Sequence, residues 1–401
     1  MKRQLLIFTH AMEIGGAEKA LLGLLESIDY DRFDVDLFLM RHSGEWLRYL
    51  PHNVRLLPEK REYACLAIPI AEAAKRSPRV AALRAVGKAK AAQTVKRLGL
   101  RPDNGVGIEY SHKYTLPAMP RVTDKEYDLA ISFLTPHYFA RERVKAKRYA
   151  AWIHTDYTAV DVDIASEVKM WSAYDAIVSI SDQVSAAFSK TFPSLESRLV
   201  RIDNPLPVRL IRALAEAQDD SPARMPGERR LLSIGRYCTA KNFDNVPDIC
   251  RRIRESGLNV RWFIIGYGAD EALIREKIAE AGMAEHVILL GKKENPYPYI
   301  KACDVYVQPS RYEGKCVSVQ EAQILAKPVV IARYTTAASQ VEDGVDGFIV
   351  PQDNAGCAEG IAKLLQAPER LNRAATRCEE KMFDNDAQLE KLYELVDTSW
   401  N

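Results

Sequence analysis

Two glutamates in the C-terminal part of the chain are the residues whose spacing says most about chemistry. Glu313 and Glu321 are separated by seven residues and follow an apolar strand. The apolar pattern between 317 and 325 predicts a helix that stops before Pro328, with Glu313 in the loop and Glu321 on the helix. The first turn of such a helix has unpaired N–H groups and a positive dipole end, which suit a phosphate or diphosphate. Two acids therefore bracket a predicted anion site.

The separation of these two acids bears on the kind of carbohydrate chemistry they could support. Eight residues span about 12 Å along a helix, whereas the acids of a retaining glycoside hydrolase are roughly 5 Å apart. A hydrolase pair is therefore disfavoured. Carboxylates beside a diphosphate can instead accept hydrogen bonds from the hydroxyls of a nucleotide sugar. The alternative is a pair of solvated surface glutamates, which is the usual meaning of this spacing when it occurs alone.

Three other segments combine a predicted strand with glycine or basic residues. Open α/β sheets bind ligands beyond the carboxyl ends of their strands. Glycines there let a ligand approach the backbone, and Arg and Lys suit a diphosphate. The segments are His10 to Leu22 with Gly15, Gly16 and Glu18, Ser233 to Phe243 with Gly235, Arg236 and Lys241, and Val341 to Pro351 with Gly344 and Gly347.

In their order and spacing, the four segments resemble the retaining glycosyltransferases of family 4, the E-x7-E type, over most of the chain. The resemblance implies a GT-B fold of the α/β class, with two Rossmann-like domains facing a central cleft and a C-terminal helix that crosses back to the N-terminal domain. It also implies transfer of a sugar from a nucleotide-sugar donor, UDP-sugar favoured, to a hydroxyl of a glycan or lipid-linked glycan. Bacterial cell-surface polysaccharide synthesis is the expected setting.

The resemblance also implies roles for individual residues. Glu313 is expected beside the transferred sugar, Arg236 and Lys241 on the donor diphosphate, and His154 facing the donor. Glu321 is expected to hold the ribose hydroxyls. The remaining donor-binding candidates are Gly15, Gly16, Gly235, Gly266, Gly268, Lys315, Cys316 and Val317, and the acceptor-side candidates are His10 and His137. The family often has an aromatic residue and a glycine where this chain has Lys315 and Cys316, so the donor sugar stays open.

No cofactor or metal is expected. The glycine pair does not have the G-x-G-x-x-G spacing of a dinucleotide site. Asp161 and Asp163 form a D-x-D sequence, which is the metal-binding signature of the other main glycosyltransferase fold. A three-residue match is expected by chance in a chain with many acidic residues, and the pattern around it favours a helix. Cys316 at a helix N-terminus could be a low-pKa nucleophile, yet the implied chemistry has no step that needs one.

Length and composition agree with a two-domain intracellular enzyme. A chain of 401 residues is too long for one typical core. The net charge of +2 gives no sign of a nucleic-acid partner. Seven cysteines without C-x-x-C spacing fit reduced thiols, and the N-terminus lacks a signal-type apolar segment. No apolar run approaches 18 residues, so we expect a cytoplasmic location.

Apolar runs that alternate with helical patterns predict parallel sheets covered by helices. The predicted strands are 4–9, 33–40, 53–58, 127–133, 148–154, 175–181 and 199–203, then 230–235, 260–266, 286–291, 304–308, 328–332 and 347–350. A polar, proline-containing stretch after Pro205 separates the two sets. The predicted divisions are an acceptor-binding domain at 1–206, a nucleotide-sugar-binding domain at 207–384 and a crossover helix at 385–401, with the helix itself at 387–400.

Residues 75–101 contain nine basic residues, no acidic residue and apolar residues at helical spacing. A solvated helix face is one interpretation. Contact with an anionic membrane surface or a lipid-linked acceptor is the other, since basic amphipathic helices bind such surfaces. The second interpretation adds peripheral association with the inner face of the membrane to the expected location.

Two other functions remain open at this point. Nucleotide-sugar epimerases share the two-domain architecture, and a degenerate relative could stabilise a partner transferase without catalysis. The presence of Lys241, Glu313 and Glu321 together favours transfer over both, because a scaffold would have no use for the three side chains.

Overall fold

The computed structural model describes the chain except for residues 1, 102–103, 156, 158–159, 219, 221–222, 314–315, 382, 384 and 398–401. It divides into two compact units, which we call unit 1 (Met1–Pro207 with Asp384–Asn401) and unit 2 (Val208–Phe383). The divisions expected from the sequence, after 206 and after 384, differ from these by one residue each. The acceptor and donor roles assigned to the two units stay predictions.

Unit 1 is built on a seven-stranded parallel sheet in the order β3-β2-β1-β4-β5-β6-β7. Most of its strands end in runs of buried, mainly apolar residues, as expected for a parallel sheet that is covered on both faces. The order reverses between β1 and β4, which makes the carboxyl ends of these two strands the switch point where such sheets bind ligands. The strands are β1 Arg3–Thr9, β2 Phe33–Leu39, β3 Val54–Leu56, β4 Glu126–Ser132, β5 Lys145–Trp152, β6 Ala176–Ser179 and β7 Leu199–Arg201.

Eight helices in the first part of the chain cover this sheet within the described residues. They are α1 Gly16–Ser27, α2 Arg61–Ala64, α3 Ile70–Arg76, α4 Pro78–Leu98, α5 Val106–Thr115, α6 Tyr138–Arg143, α7 Ile164–Trp171 and α8 Asp182–Thr191. Helix α4 packs on α5 so closely that a Cβ atom at Gly87 would lie 2.8 Å from the Tyr110 carbonyl oxygen.

Unit 2 has a six-stranded parallel sheet in the order β10-β9-β8-β11-β12-β13. Its switch point lies between β8 and β11. The strands are β8 Arg229–Ile234, β9 Val260–Ile265, β10 Val287–Gly291, β11 Val305–Gln308, β12 Val329–Ala332 and β13 Phe348–Val350. The helices are α9 Val208–Leu214, α10 Val246–Glu255, α11 Glu271–Glu280, α12 Tyr297–Ala302, α13 Val317–Ile324, α14 Asn354–Leu365 and α15 Pro368–Glu380. Every strand predicted from the sequence is present in one of the two sheets.

The last helix, α16 (Asp386–Asp397), returns to unit 1. The ring of Tyr393 stacks on Phe33 with centroids 4.5 Å apart, and its hydroxyl accepts a hydrogen bond from the Asp29 amide at 2.9 Å. The predicted crossover helix is therefore confirmed, although residues 398–400 of the predicted range lie outside the described part of the chain.

No helix among the described residues is both long enough and apolar enough to cross a membrane.

Candidate functional site

The switch point of unit 2 brings together the basic and acidic residues singled out in the sequence. The loop after β8 contains Lys241, and the loop after β11 contains Glu313. The two strands are adjacent in the sheet although more than 70 residues separate them. Because both strands run in the same direction, their following loops lie at the same edge. The sheet order therefore makes these two side chains neighbours.

Lys241 and Glu313 form an ion pair in a largely buried environment. The Lys241 Nζ atom donates to Glu313 Oε1 at 2.5 Å, and the side chains are 17% and 11% exposed. Burial alone would lower the pKa of Lys241, but the Glu313 carboxylate beside it acts in the opposite direction, and the net pKa is raised. Lys241 is thus a cation at neutral pH. Gly235 makes room for its side chain, since a Cβ atom there would lie 2.9 Å from Lys241 Cε.

Arg236 differs from Lys241 in its surroundings. It is exposed at the end of β8, and it has no hydrogen-bond or ion-pair partner within the part of the chain that the structure describes. A guanidinium in this state can turn toward an anion without first breaking another contact.

Glu321 lies on the second turn of α13 and is 1% exposed. Its Oε1 atom accepts a hydrogen bond from the Tyr297 hydroxyl at 2.9 Å. The predicted placement of Glu313 in a loop and Glu321 on a helix is thereby confirmed. The ribose-binding role of Glu321 stays a prediction.

The N-terminus of α13 was expected to offer backbone amides to phosphate or sugar oxygens. Cys316 is the N-cap residue of α13, and its amide donates to Gln340 Oε1 at 2.9 Å. Val317 is the first helical residue, and Lys315 lies outside the described residues. Burial raises the pKa of the Cys316 thiol despite the nearby Lys241, so Cys316 is a neutral thiol and lacks the low pKa of a nucleophile.

Gly266 and Gly268 are required by the close packing of two loops. A Cβ atom at Gly266 would lie 1.9 Å from the Gly235 carbonyl oxygen, and one at Gly268 would lie 2.3 Å from the Tyr237 carbonyl oxygen. The loops after β8 and β9 therefore contact each other backbone to backbone. This packing explains both glycines without a ligand, and their donor-binding role stays a prediction.

In unit 1, the predicted histidines follow β1, β4 and β5. His10 directly follows β1, and His154 lies two residues after β5. Burial lowers the pKa of each to about 4, and the Nε2 atom of each is buried without a hydrogen-bond partner among the described residues. Both are neutral imidazoles with an unused nitrogen.

His137 lies deeper in unit 1 than the other two histidines. It is fully buried, its Nδ1 atom pairs with Ser132 Oγ at 2.8 Å, and its ring packs on Trp171 with centroids 4.4 Å apart. Its Nε2 atom, like those of His10 and His154, is buried with no hydrogen-bond partner among the described residues, so its acceptor-side role stays a prediction.

The glycine pair of unit 1 lies where α1 begins. Gly15 is the N-cap residue and Gly16 the first helical residue. A Cβ atom at Gly15 would lie 2.1 Å from Glu18 Oε2, so the Glu18 carboxylate folds back over the helix N-terminus. Burial raises the pKa of Glu18. The position predicted for a ligand phosphate is thus next to one of the chain's own carboxylates.

Three polar residues near these edges were missed in the sequence. Tyr334 lies two residues after β12, is 4% exposed, and has a buried hydroxyl with no hydrogen-bond partner among the described residues. The same strand-end rule that selected Lys241 could have found it. Glu109 and His112 lie on α5, each with one buried unpartnered atom, and the His112 ring is 5.4 Å from that of His10. Because both residues lie within a helix and not at the end of a strand, the sequence offered no reason to select them.

Asp161 and Asp163 have structural partners. Asp161 pairs with Arg101 at 2.9 Å, and Asp163 caps α7 and accepts a hydrogen bond from the Tyr110 hydroxyl at 2.7 Å. The prediction that Asp161 and Asp163 lie in a helix is wrong. Asp161 forms an isolated β-bridge with Asn104, and the helix begins only at Ile164. The described residues contain no group of three or more His, Cys, Asp or Glu side chains arranged for a metal ion.

Comparison with known proteins identifies the domain that contains the Lys241–Glu313 pair. Residues 215–381 match the family described as "Glycosyl transferases group 1". Most of unit 2 is therefore similar to group 1 glycosyltransferase domains.

Two curated proteins that are similar to this region are glycosyltransferases of amylovoran and colanic acid biosynthesis according to their names. The amylovoran biosynthesis glycosyltransferase AmsK of Erwinia amylovora is 29% identical over 144 residues, 34% of this chain and 35% of AmsK. The putative colanic acid biosynthesis glycosyltransferase WcaL of Salmonella typhimurium is 27% identical over 183 residues, 42% of this chain and 45% of WcaL. The matched regions thus span about a third to a half of these relatives.

The fold as a whole is similar to solved structures. HepE of Anabaena, crystallised with UDP and glucose, matches with a TM-score of 0.64 at 15% identity over 99% of this chain and 100% of HepE. At this identity the likeness concerns the fold alone. Two parallel-sheet α/β domains of the GT-B class, as expected, are confirmed.

Proposed function

We propose that the protein is a retaining glycosyltransferase of family 4 that transfers a hexose-type sugar from a nucleotide-sugar donor to a hydroxyl group. The observation that carries the proposal is the buried Lys241–Glu313 pair at the switch point of unit 2. A cation for the diphosphate and a carboxylate for the sugar hydroxyls are adjacent there, within the region similar to group 1 glycosyltransferase domains. The exposed Arg236 supplies a second cation at the same strand end.

In the proposed reaction the bond between the anomeric carbon and the diphosphate oxygen breaks, and the acceptor oxygen attacks that carbon from the same face. The departing phosphate oxygen takes the acceptor's proton. Lys241 and Arg236 stabilise the negative charge that develops on the diphosphate, where fixed cations have their largest effect. Glu313 orients the sugar, and no protein nucleophile takes part, which agrees with the neutral Cys316 thiol. These two cations serve in place of a divalent metal ion.

UDP is the proposed nucleotide and a bacterial surface polysaccharide, or its lipid-linked precursor, the proposed acceptor. The crystals of HepE with UDP and glucose support the first, and the names of AmsK and WcaL support the second. Unit 1 is the proposed acceptor-binding domain. His10 and His154 are suited to hydroxyl groups, because a neutral imidazole nitrogen can donate or accept one hydrogen bond without introducing charge.

Helix α4 is the proposed contact with an anionic membrane surface. Its buried face packs on α5 through small residues such as Gly87 and Ala91. Its opposite face exposes a stripe of alanines and Val86, which is 45% exposed, flanked by Lys88 and Lys90. Basic side chains on both sides of an apolar stripe match a surface of anionic headgroups over acyl chains. The solvated-face alternative predicts no binding to vesicles of anionic lipid.

Two competing functions predict different results in one assay. An epimerase would convert the donor sugar without releasing nucleotide, and a scaffold would neither bind nor consume a donor. The test is nucleotide release from a panel of UDP-, GDP- and ADP-sugars, with wild type compared with Lys241→Ala. Lys277→Ala is the matched control, since Lys277 is a half-exposed residue of α11 that pairs with Glu280 at 2.7 Å.

We expect one donor to be consumed by wild type and by the control variant but not by Lys241→Ala. Sugar inversion without nucleotide release would support the epimerase. Absence of donor binding by wild type would support the scaffold and overturn the proposal.

A further inference from the structure

Glu313 is the end point of a chain of buried polar side chains. Its Oε1 atom accepts hydrogen bonds from Lys241 and from the Ser310 hydroxyl, the latter at 2.6 Å. The Ser310 Oγ atom in turn accepts from the Gln308 side-chain amide at 2.8 Å. The Tyr306 hydroxyl lies 2.7 Å from Gln308 Oε1. Tyr306, Gln308 and Ser310 alternate along and just beyond β11, so their side chains project from one face of the strand.

The chain continues through α13 and closes on Lys241. The Tyr306 hydroxyl is also 2.7 Å from Ser318 Oγ. Ser318 Oγ is 3.2 Å from the Cys316 sulfur, which is 3.8 Å from Lys241 Nζ. The seven side chains therefore form a closed ring, which we call the Glu313 ring. Ser310, Gln308 and Tyr306 are themselves fully buried.

The chemistry of the two charged members sets the direction of every hydrogen bond in the ring. A carboxylate can only accept and an ammonium can only donate. Ser310 must therefore donate to Glu313, so that its oxygen accepts the N–H of Gln308. The amide oxygen of Gln308 then receives the single proton of the Tyr306 hydroxyl. Reversing the amide would leave Ser310 with no proton for the carboxylate.

The directions of the remaining hydrogen bonds follow from the same count of available protons. Since the Tyr306 proton is used on Gln308, Ser318 donates to Tyr306, and Cys316 donates its S–H to Ser318. The Ile234 carbonyl, at 3.4 Å, is a more distant acceptor for Ser318. All donors then point in one direction from Lys241 around to Glu313. A buried network with every member satisfied holds its side chains in one arrangement, whereas an unsatisfied member is costly.

We infer that Ser310, Gln308 and Tyr306 are positioning residues that hold Glu313 in place while Lys241 turns from it to the donor diphosphate. This inference rests on the proposed function. In the structure Glu313 is held from two sides, by Lys241 and by Ser310. A diphosphate that engages Lys241 removes the first contact. The Ser310 bond, fixed by Gln308 and Tyr306, then keeps the carboxylate directed at the sugar.

A merely structural role for these residues would make different predictions for kinetics. Loss of packing would impair donor binding and turnover together. Loss of positioning lowers kcat while the donor KM changes little, because Glu313 acts on the sugar in the transition state. Ser310→Thr keeps the hydroxyl and should restore kcat, which a change in packing volume would not predict.

The kinetic test compares Ser310→Ala, Ser310→Thr and Tyr306→Phe with wild type in donor turnover. We expect Ser310→Ala to lower kcat by about tenfold or more with the donor KM within about threefold, and Ser310→Thr to recover most of it. Tyr306→Phe, which acts from further along the ring, should lower kcat by about threefold. Ser256→Ala and Tyr299→Phe are matched controls, because their hydroxyls contact Ile253 and Asp220 outside the ring.

A second measurement tests the ring without any turnover. Hydrogen exchange of residues 316–325 reports local opening of α13. Ser310 and Ser318 are linked through the ring, so Ser310→Ala and Ser318→Ala should be non-additive. The second change should add less than about twofold to the opening caused by the first. Additive effects would show that the ring does not act as a unit and would overturn the inference.

The two measurements separate the inference from the proposed function. Turnover by wild type with an unchanged kcat in Ser310→Ala would overturn the positioning role alone. Equal losses in Ser310→Ala and Ser310→Thr, with a raised KM, would assign the residues to packing and overturn it as well. If wild type consumed no donor, the proposed function would fail and the positioning role with it, while non-additive exchange would still establish the ring.

Discussion

The polar side chains at the sheet edges of the two units differ in charge and in hydrogen bonding. At the edge of unit 1, His10 and His154 are neutral, with pKa values lowered to about 4 by burial, and each has a buried nitrogen with no partner in the part of the chain that the structure describes. At the edge of unit 2, Lys241 and Glu313 are a charged pair within a closed ring. The first edge lacks hydrogen bonds that a ligand could supply, and the second must give one up before a ligand binds.

This difference suggests what each edge is suited to bind. An unpaired buried nitrogen is destabilising, and an uncharged hydroxyl can relieve it without bringing charge into a desolvated place. A buried ion pair exchanges one anion for another, so that a diphosphate can replace Glu313 on Lys241 at little electrostatic loss. The comparison therefore agrees with acceptor binding in unit 1 and donor binding in unit 2.

The largest expected effect comes from removing the cation of unit 2. Lys241→Ala should lower kcat by about 10³-fold, or about 4 kcal/mol, because the charge it stabilises is greatest in the transition state. UDP binding measured by calorimetry should weaken much less. Lys277→Ala on α11 should leave both unchanged. Equal losses in binding and kcat would mean that Lys241 binds the ground state only.

Glu313→Gln should separate binding from turnover. With the carboxylate gone, Lys241 is free for the diphosphate, so we expect UDP to bind several-fold more tightly while kcat falls by about 100-fold. Glu313 also raises the pKa of Lys241 against the effect of burial. Its loss should lower that pKa, and UDP binding should then decline at a lower pH than in wild type. Weaker UDP binding in Glu313→Gln would contradict the proposed exchange of partners.

His10→Phe tests the neutral edge of unit 1. If the free Nε2 atom binds an acceptor hydroxyl, its loss should raise the acceptor KM by about tenfold, with UDP binding unchanged. Phe is the chosen replacement because the side chain is largely buried and an aromatic ring retains most of its packing. An unchanged acceptor KM would remove His10 from the acceptor site.

The same variant has an expected effect on stability at acid pH. The pKa of His10 is about 4 in the folded protein and 6.5 in the unfolded chain, so the unfolded chain binds a proton first as pH falls. Stability is thus full above about pH 6.5 and is lost toward pH 4, by about 3 kcal/mol at most for this group. Burial raises the pKa of Glu167 to about 8, so the contribution of this group to stability increases as pH falls, opposite to that of His10. The difference between wild type and His10→Phe in chemical unfolding, measured from pH 7 to pH 4, isolates the histidine.

The smallest expected effect concerns α4. Lys88→Ser should weaken binding to vesicles that contain anionic lipid by about fivefold, since one lysine near such a surface contributes about 1 kcal/mol. The loss should shrink at high salt. Lys277→Ser in unit 2 is the control. Equal binding by wild type and Lys88→Ser would favour the solvated-face interpretation of this helix.

The sequence by itself predicted both sheets and the residues at their carboxyl ends. Strand periodicity and apolar runs are local properties, and residues such as Lys241 and Glu313 followed predicted strands directly. That these two meet also follows from the order of strands in such sheets. The loop and helix positions of Glu313 and Glu321 were predicted for the same local reasons, whereas the return of the last helix to unit 1 was implied by the family resemblance.

Only the tertiary structure decided which polar groups became partners. Nothing in the sequence pairs Tyr306 with Ser318 or folds Glu18 over Gly15, because such contacts depend on how a strand packs against a helix and on which rotamer fits. His112 belongs to a helix whose pattern gives no reason to expect a functional residue, yet packing brings its ring next to His10. Side-chain period predicts which face of an element a residue occupies, and the opposing element determines what that face contacts.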